Sequence, residues 1–265
     1  MLDHVADLIR EVAATIVLPR FRHLSDGDVQ QKAPGDVVTI ADQESERALT
    51  AGLTRVLPGS VVVGEEAAAA DPAVLTRVRN TGAVWVVDPV DGTNNFAAGK
   101  TPFAIMVALL RGGEPAASWI LDVVSDRLAI AEAGSGAYLD GVRVKTRTDD
   151  PGAAAMSGTL ARHYFPAELR AKVNAHAGAF GAVTNGHHCA GYEYPSVATD
   201  EQQFAMFWRI LPWDHVPGAL FITEAGGVVR HLSGAPYRPA DTDEGLLVAP
   251  NEQVWQTVHA TLFDA

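Results

Sequence analysis

The apolar run Ala83-Val84-Trp85-Val86-Val87 stops in the segment Asp88-Pro89-Val90-Asp91-Gly92-Thr93, and this junction constrains the fold more than any other stretch of the chain. A short β-branched run closed by turn residues is a buried strand. Its end therefore carries two carboxylates into a tight turn. Pro89 fixes one backbone angle, and Gly92 lets a ligand approach main chain that a side chain would cover. Thr93 follows in position to cap a short helix whose first N–H groups point outward, a ready site for phosphate.

Asp, Pro and Gly also build ordinary turns, so the chemistry needs support from elsewhere in the chain. The haloacid-dehalogenase phosphatases end a strand in a similar way, with a nucleophilic Asp two residues before the Asp that precedes Gly-Thr. Here neither Pro89 nor Val90 carries a nucleophilic atom. A phospho-aspartyl route through this turn is excluded, and metal-assisted attack by water remains.

Further acids stand in comparable contexts. Val61-Val62-Val63 reads as a strand and runs into Gly64-Glu65-Glu66. Downstream, Trp213-Asp214-His215-Val216-Pro217-Gly218 opens an apolar helix that closes at Glu224-Ala225-Gly226-Gly227, where glycines suit a helix C-terminus. Asp214 lies at the opposite end, where the helix dipole favours an anion.

These segments, together with Gly35-Asp36-Val37-Val38-Thr39-Ile40-Ala41-Asp42, resemble the ordered signatures of the inositol monophosphatase family. The resemblance runs from about Lys32 to the C-terminus. It implies that Glu65, Asp88 and the main-chain carbonyl of Val90 hold one Mg²⁺, and that Asp88, Asp91 and Asp214 hold a second. In the family a third, weaker Mg²⁺ sits near the Glu65 position, and Li⁺ inhibits. Hard oxygen ligands suit Mg²⁺ or Mn²⁺ rather than zinc. By the same resemblance Glu65 and Thr93 line up the attacking water, Asp36 polarises the Thr93 hydroxyl, and the N–H groups of Gly92 and Thr93 grip the phosphate. The chemistry demands cations, because a phosphate monoester dianion repels an incoming hydroxide.

The substrate side departs from the family. Inositol-specific members carry a Glu seven residues before the Trp-Asp aspartate, and here that position is Phe207, within Phe204-Ala205-Met206-Phe207-Trp208. A ring hydroxyl facing Phe207 loses a hydrogen-bond partner. The segment that usually reads Gly-Ser-Ala-Ala is His187-His188-Cys189-Ala190-Gly191-Tyr192, which makes His188 and Ala190 candidate substrate contacts. His215 reads as a helix residue beside Asp214. Cys189, the single cysteine, has no internal partner and lacks the context of a nucleophile. Asp200-Glu201 and Asp241-Asp243-Glu244 read as solvated surface.

A net charge of −12 and the lack of a basic run argue against nucleic acid as a partner. No segment approaches the roughly 20 apolar residues of a membrane span, and the N-terminus lacks a signal-peptide pattern, so a reducing cytoplasm is expected. Leu2 to Val17 keeps helical spacing up to Pro19; a second helix is predicted over 42–57 and a last one from the cap Asn251. Between them, strands near 61–63, 83–87, 105–110, 116–123 and 128–131 form a mostly antiparallel meander, and after 146–152 strands and helices alternate. The expected fold is the family's layered α-β-α-β-α sandwich: an N-terminal α+β half, residues 1–148, with most metal ligands, and a C-terminal α/β half, residues 149–265, with Asp214 and the substrate side.

The expectation is a Mg²⁺-dependent phosphomonoesterase acting on a small phosphate ester, with two or three ions, no covalent intermediate, lithium sensitivity and, as in many family members, a homodimer. Inositol phosphate, histidinol phosphate, fructose bisphosphate and 3′-phosphoadenosine 5′-phosphate all remain open as substrates. The rival from another class is a noncatalytic metal-binding scaffold.

Overall fold

Side chains along the strand Ala83–Asp91 alternate between two apolar faces: Trp85 and Val87 join one core, Val84 and Val86 another. A strand buried on both faces needs a packed layer on each side. The computed structural model, which describes residues 1–33 and 35–264 apart from the side chains of Asp26, Ala33 and Asp36, supplies those layers.

In chain order the strands are β1 Val29–Ala33, β2 Asp36–Thr39, β3 Val61–Gly64, β4 Ala83–Asp91, β5 Ala104–Arg111, β6 Glu114–Asp122, β7 Arg127–Glu132, β8 Gly136–Leu139, β9 Val142–Val144, β10 Ser157–Leu160, β11 Ala182–Thr184, β12 Phe204–Phe207, β13 Val228–His231 and β14 Leu246–Ala249. The α-helices are α1 Leu2–Val12, α2 Ile40–Val56, α3 Glu65–Ala70, α4 Thr93–Ala97, α5 Ala167–His176, α6 Ala190–Ala198, α7 Pro212–Ala225 and α8 Glu252–Phe263. Strands β3 to β9 form a 7-stranded sheet in sequence order, and a 5-stranded sheet follows the order β11-β10-β12-β14-β13. The first sheet is the expected antiparallel meander except for the parallel pair β3–β4. In the second, β10, β11 and β12 are parallel and β12, β14 and β13 antiparallel.

Helices α1 and α2 cover one face of the first sheet, where Val5, Ile9, Leu49 and Leu53 meet Trp85, Val107, Trp119 and Leu121. Helices α6 and α7 fill the middle layer between Met106 and Ile120 of the first sheet and Ala205 and Val248 of the second. Helices α5 and α8 close the far side, with Val173, Val254 and Val258 on Phe204 and Leu247. The order is α-β-α-β-α, as the family resemblance implies. The first helix changes to a π turn over Ala13–Val17 and ends in a 3-10 turn at Pro19. Asn251 caps α8, its side chain accepting from Val254 N at 2.9 Å.

The middle layer depends on one close approach. A Cβ built on Gly218 of α7 would stand 2.1 Å from the Tyr194 ring of α6. Gly218→Ala is therefore expected to lose about 2 kcal/mol in urea unfolding, since overpacking outweighs the roughly 1 kcal/mol gain in helix propensity. An unchanged midpoint would show that α6 and α7 can slide apart freely.

Candidate active site

Strands β3 and β4 run parallel with Gly64 beside Val87, so they leave the sheet together and bring Glu65 and Asp88 to one place. Residues three apart on a regular strand point to opposite faces. Between Asp88 and Asp91 the β4–β5 register shifts, pairing Asp88 with Met106 but Asp91 with Ala104. This bulge adds one residue to β4, and both carboxylates line the same cleft. Asp88 closes an Asx turn by accepting from Val90 N at 3.0 Å.

Gly92 takes φ +88°, and a Cβ there would lie 3.1 Å from the Pro102 carbonyl. Gly92 is the residue at the N-cap of α4, and Thr93 is the first helical residue rather than the cap. The Thr93 hydroxyl turns back to Val90 O at 2.8 Å and to Asp42 Oδ1 at 2.9 Å. The side chain expected to polarise Thr93, that of Asp36, lies outside the described residues; the described acid on this hydroxyl is Asp42. Asp42 also binds the Thr39 N–H and hydroxyl in a capping box at the start of α2. Its spacing from Thr39 was the signal that could have located it from sequence.

Asp91 Oδ2 accepts from Gly191 N at 2.6 Å and from the Cys189 thiol at 3.1 Å, so it sits on the first turn of α6. The sequence reading did not find this helix, nor the role of Glu46, whose carboxylate accepts from Glu66 N at 2.7 Å and Ala67 N at 2.9 Å to hold the start of α3. Both are long-range contacts without a local pattern. Asp214 stands in the first turn of α7. Beside it His215 is structural: its Nε2 donates to Arg209 O at 2.9 Å, leaving Nδ1 to accept from Tyr194 OH at 2.9 Å. Burial pushes this imidazole down to about 4, so it stays neutral.

The acids raise one another. Asp88 is held well above the usual carboxylate range by burial, then by Glu65, Asp91 and Asp214. Burial lifts Asp91 to about 6 against the hydrogen bonds from Gly191 and Cys189. Asp214 is raised well up by burial, Glu65 and Asp91, with Arg209 acting in the opposite sense. Burial also brings Asp42 to about 6. Lys32 is the described cation in contact with Glu65, its Nζ 3.0 Å from Glu65 and 2.5 Å from Glu66. Among the described residues no three acidic, histidine or cysteine side chains form a closed metal cage. The cluster nevertheless offers only carboxylate and carbonyl oxygens, with excess negative charge, and that donor set fits a hard divalent cation.

The acids open into a cleft of about 270 Å³, also lined by His163, Tyr164, Asn185, His188, Ala190, Phe207, Trp208 and Arg209. Phe207 is packed between Tyr194, ring centroids 5.5 Å apart, and His215 at 5.0 Å. His188 has φ +56° at the cleft wall, and the Nδ1 of its neighbour His187 lies 3.0 Å from buried Glu193. Cys189 is buried and its thiol is pushed up by burial and by Asp91, which removes it as a nucleophile.

An oxygen-donor cluster at strand and helix ends, in a five-layer α-β-α-β-α sandwich, defines a class of phosphate-ester hydrolases. The chain belongs to the inositol monophosphatase family, whose model matches residues 1–265 and whose members hydrolyse phosphate monoesters. It is similar to an inositol-1-monophosphatase of Bacillus subtilis, 28% identical over 271 residues that cover 99% of this chain and 95% of that one. It is also similar to a fructose-1,6-bisphosphatase/inositol-1-monophosphatase of Aquifex aeolicus, 26% identical over 247 residues, 91% and 89% of the two chains. The structure of the extragenic suppressor protein suhB of Bartonella henselae superimposes with a TM-score of 0.84 at 22% identity, covering 100% of this chain and 98% of that one. No described helix is long and apolar enough to cross a membrane.

Proposed function

We propose that this phosphatase is Mg²⁺-dependent and cleaves a small phosphorylated metabolite by direct attack of water. The observation that carries the reading is that Glu65, Asp88, Asp91 and Asp214 line one cleft, where burial and the neighbouring carboxylates push Asp88, Asp91 and Asp214 upward. Glu65, Asp88, Asp91, Asp214 and the Val90 carbonyl are the proposed ligands, and that carbonyl keeps a lone pair beside the Thr93 hydroxyl. Bound Mg²⁺ would neutralise the phosphoryl oxygens and the departing alkoxide.

The chain's own residues then supply orientation and proton handling. The single Thr93 proton is committed to Asp42 and Val90, so the Thr93 oxygen faces a water as acceptor. Asp42, raised to about 6, terminates that path as a base able to take the proton near neutral pH. Glu65 orients the water from the other side. The Gly92 and Thr93 N–H groups are the proposed phosphate contacts. The two halves, residues 1–148 and 149–265, meet across the ligand set, since Asp214 comes from the second and the other acids from the first. The packed, apolar Phe207 supports a leaving group other than a polyol.

Phosphate release from inositol 1-phosphate, histidinol phosphate, fructose 1,6-bisphosphate and 3′-phosphoadenosine 5′-phosphate, with Mg²⁺ and with chelator, tests this. The expected result is Mg²⁺-dependent turnover with inositol 1-phosphate at least about 10-fold below the best substrate in kcat/KM. No turnover on the panel or on an aryl phosphate would leave the metal-binding scaffold as the better reading.

A further inference from the structure

Helix α3 starts at Glu65 without a cap of its own, since its N-cap residue is Gly64. The cap is imported from α2. Buried Glu46 accepts from Glu66 N at 2.7 Å through Oε2 and from Ala67 N at 2.9 Å through Oε1, the N–H groups that a Ser, Thr or Asp at position 64 would serve. Gly64 is what admits this carboxylate. Its φ of −105° and ψ of 158° are extended backbone that any residue adopts, so conformation does not call for glycine. Space does, because a Cβ there would overlap the Glu46 carboxyl carbon. A local cap would hold α3 as a helix equally well. The imported one does something more: it fixes Glu65, which lies between Gly64 and the gripped N–H groups, relative to α2.

We propose that Glu46, seated in the space left by Gly64, is a positioning residue that sets Glu65 against Thr93 and so governs metal affinity and turnover without touching metal, water or ester. The inference rests on the phosphatase reading above and deepens it. Asp42 stands four residues before Glu46, on the same face of α2, and accepts from the Thr93 hydroxyl at 2.9 Å. One turn of α2 therefore holds both groups assigned to the attacking water, Thr93 through Asp42 and Glu65 through Glu46. That turn is itself rigid: the Thr39 capping box fixes its start, and Leu49 and Leu53 anchor the next turns in the core with Trp85 and Trp119. Partners behind a metal ligand matter because a ligand that can drift no longer presents its oxygen at the required place. A plain helix cap, in contrast, would contribute to stability alone.

The test compares the wild type with Glu46→Gln, Glu46→Ala, Gly64→Ala and the double variant Glu46→Ala/Gly64→Ala. Calorimetric titration with Mn²⁺ reads metal affinity without substrate, kcat and KM are measured on 4-nitrophenyl phosphate at saturating Mg²⁺, and thermal unfolding in chelator shows which variants are folded at the assay temperature. Glu46→Gln keeps the side-chain volume but turns an NH₂ toward one of the two N–H groups, so it reads the effect even where Glu46→Ala does not fold. It is expected to weaken Mn²⁺ binding roughly 10-fold and lower kcat roughly 10- to 100-fold, with KM within about 3-fold because the ester is gripped elsewhere. Gly64→Ala should do the same by displacing the carboxylate. Added to Glu46→Ala, where nothing competes for the space, Gly64→Ala should cost less than about 2-fold, the non-additivity of two groups in contact. Folded variants whose Mn²⁺ affinity and kcat stay within about 3-fold of wild type make Glu46 a plain cap and overturn the proposal, as does an equal effect of Gly64→Ala in both backgrounds. A wild type that binds Mn²⁺ but releases no phosphate overturns the phosphatase reading alone, and the calorimetric comparison then decides Glu46 by itself.

Discussion

Asp214→Asn is expected to lose about 10³-fold in Mg²⁺-dependent kcat/KM and, in chelator, to unfold about 2–5 °C higher than the wild type. The two effects have one cause. Asp214 is pushed up by burial and by the fields of Glu65 and Asp91, so its ionised form is unfavourable in the folded, metal-free protein. Asparagine keeps the shape and removes the charge, relieving that repulsion. The same charge is what a divalent cation requires, so binding and turnover fail together. Thermal unfolding with and without Mg²⁺, alongside phosphate release, measures both. A variant less stable than the wild type in chelator would mean that Asp214 is held by structural hydrogen bonds and that the repulsion argument is wrong.

The second large effect is on the pH dependence of stability. For Asp91 the folded value is raised to about 6 from 3.8. Between those values the folded chain keeps a proton that the unfolded chain has lost, so stability falls as pH rises from about 4 to about 6, by roughly 3 kcal/mol from this group alone. Asp42 acts in the same window, and Glu66, raised by burial to about 7, extends it toward neutrality. This is opposite in sign to an acid held by a salt bridge. Mg²⁺ binds the ionised ligands of the native state, so millimolar Mg²⁺ should restore stability at pH 7.5 and do little at pH 5. Urea unfolding across pH 4.5–8 in chelator and in Mg²⁺ reads this directly. A chelator curve that rises with pH would contradict the burial of uncompensated acids.

Much of the architecture was legible because its signals are local. The unbroken apolar run Ala83–Val87 closed by turn residues marked a buried strand, Pro19 and Gly226 marked helix ends, and Asn251 marked a cap. The parallel pairing of β3 with β4 was not legible, since both strands have the same apolar character in either direction. Helix α6 escaped because Gly191 and Pro195 are poor helix formers and no side chain caps its start. What stabilises its first turn is Asp91, 100 residues before Gly191 in the chain.

The acids show the same division. The sequence by itself determined which residues carry the charge, Glu65, Asp88, Asp91 and Asp214, because each stands at a strand or helix end marked by turn chemistry. Tertiary structure alone decided how they act. The bulge in β4 turns Asp88 and Asp91 to one side, the packing of α6 on β5 at Gly191 delivers an N–H to Asp91, and α2 brings Asp42 under Thr93. The physical reason is range: strand ends and caps depend on neighbours a few residues away, whereas a carboxylate's protonation, and the wall that faces it across a cleft, depend on charges and burial that only the folded layers bring together.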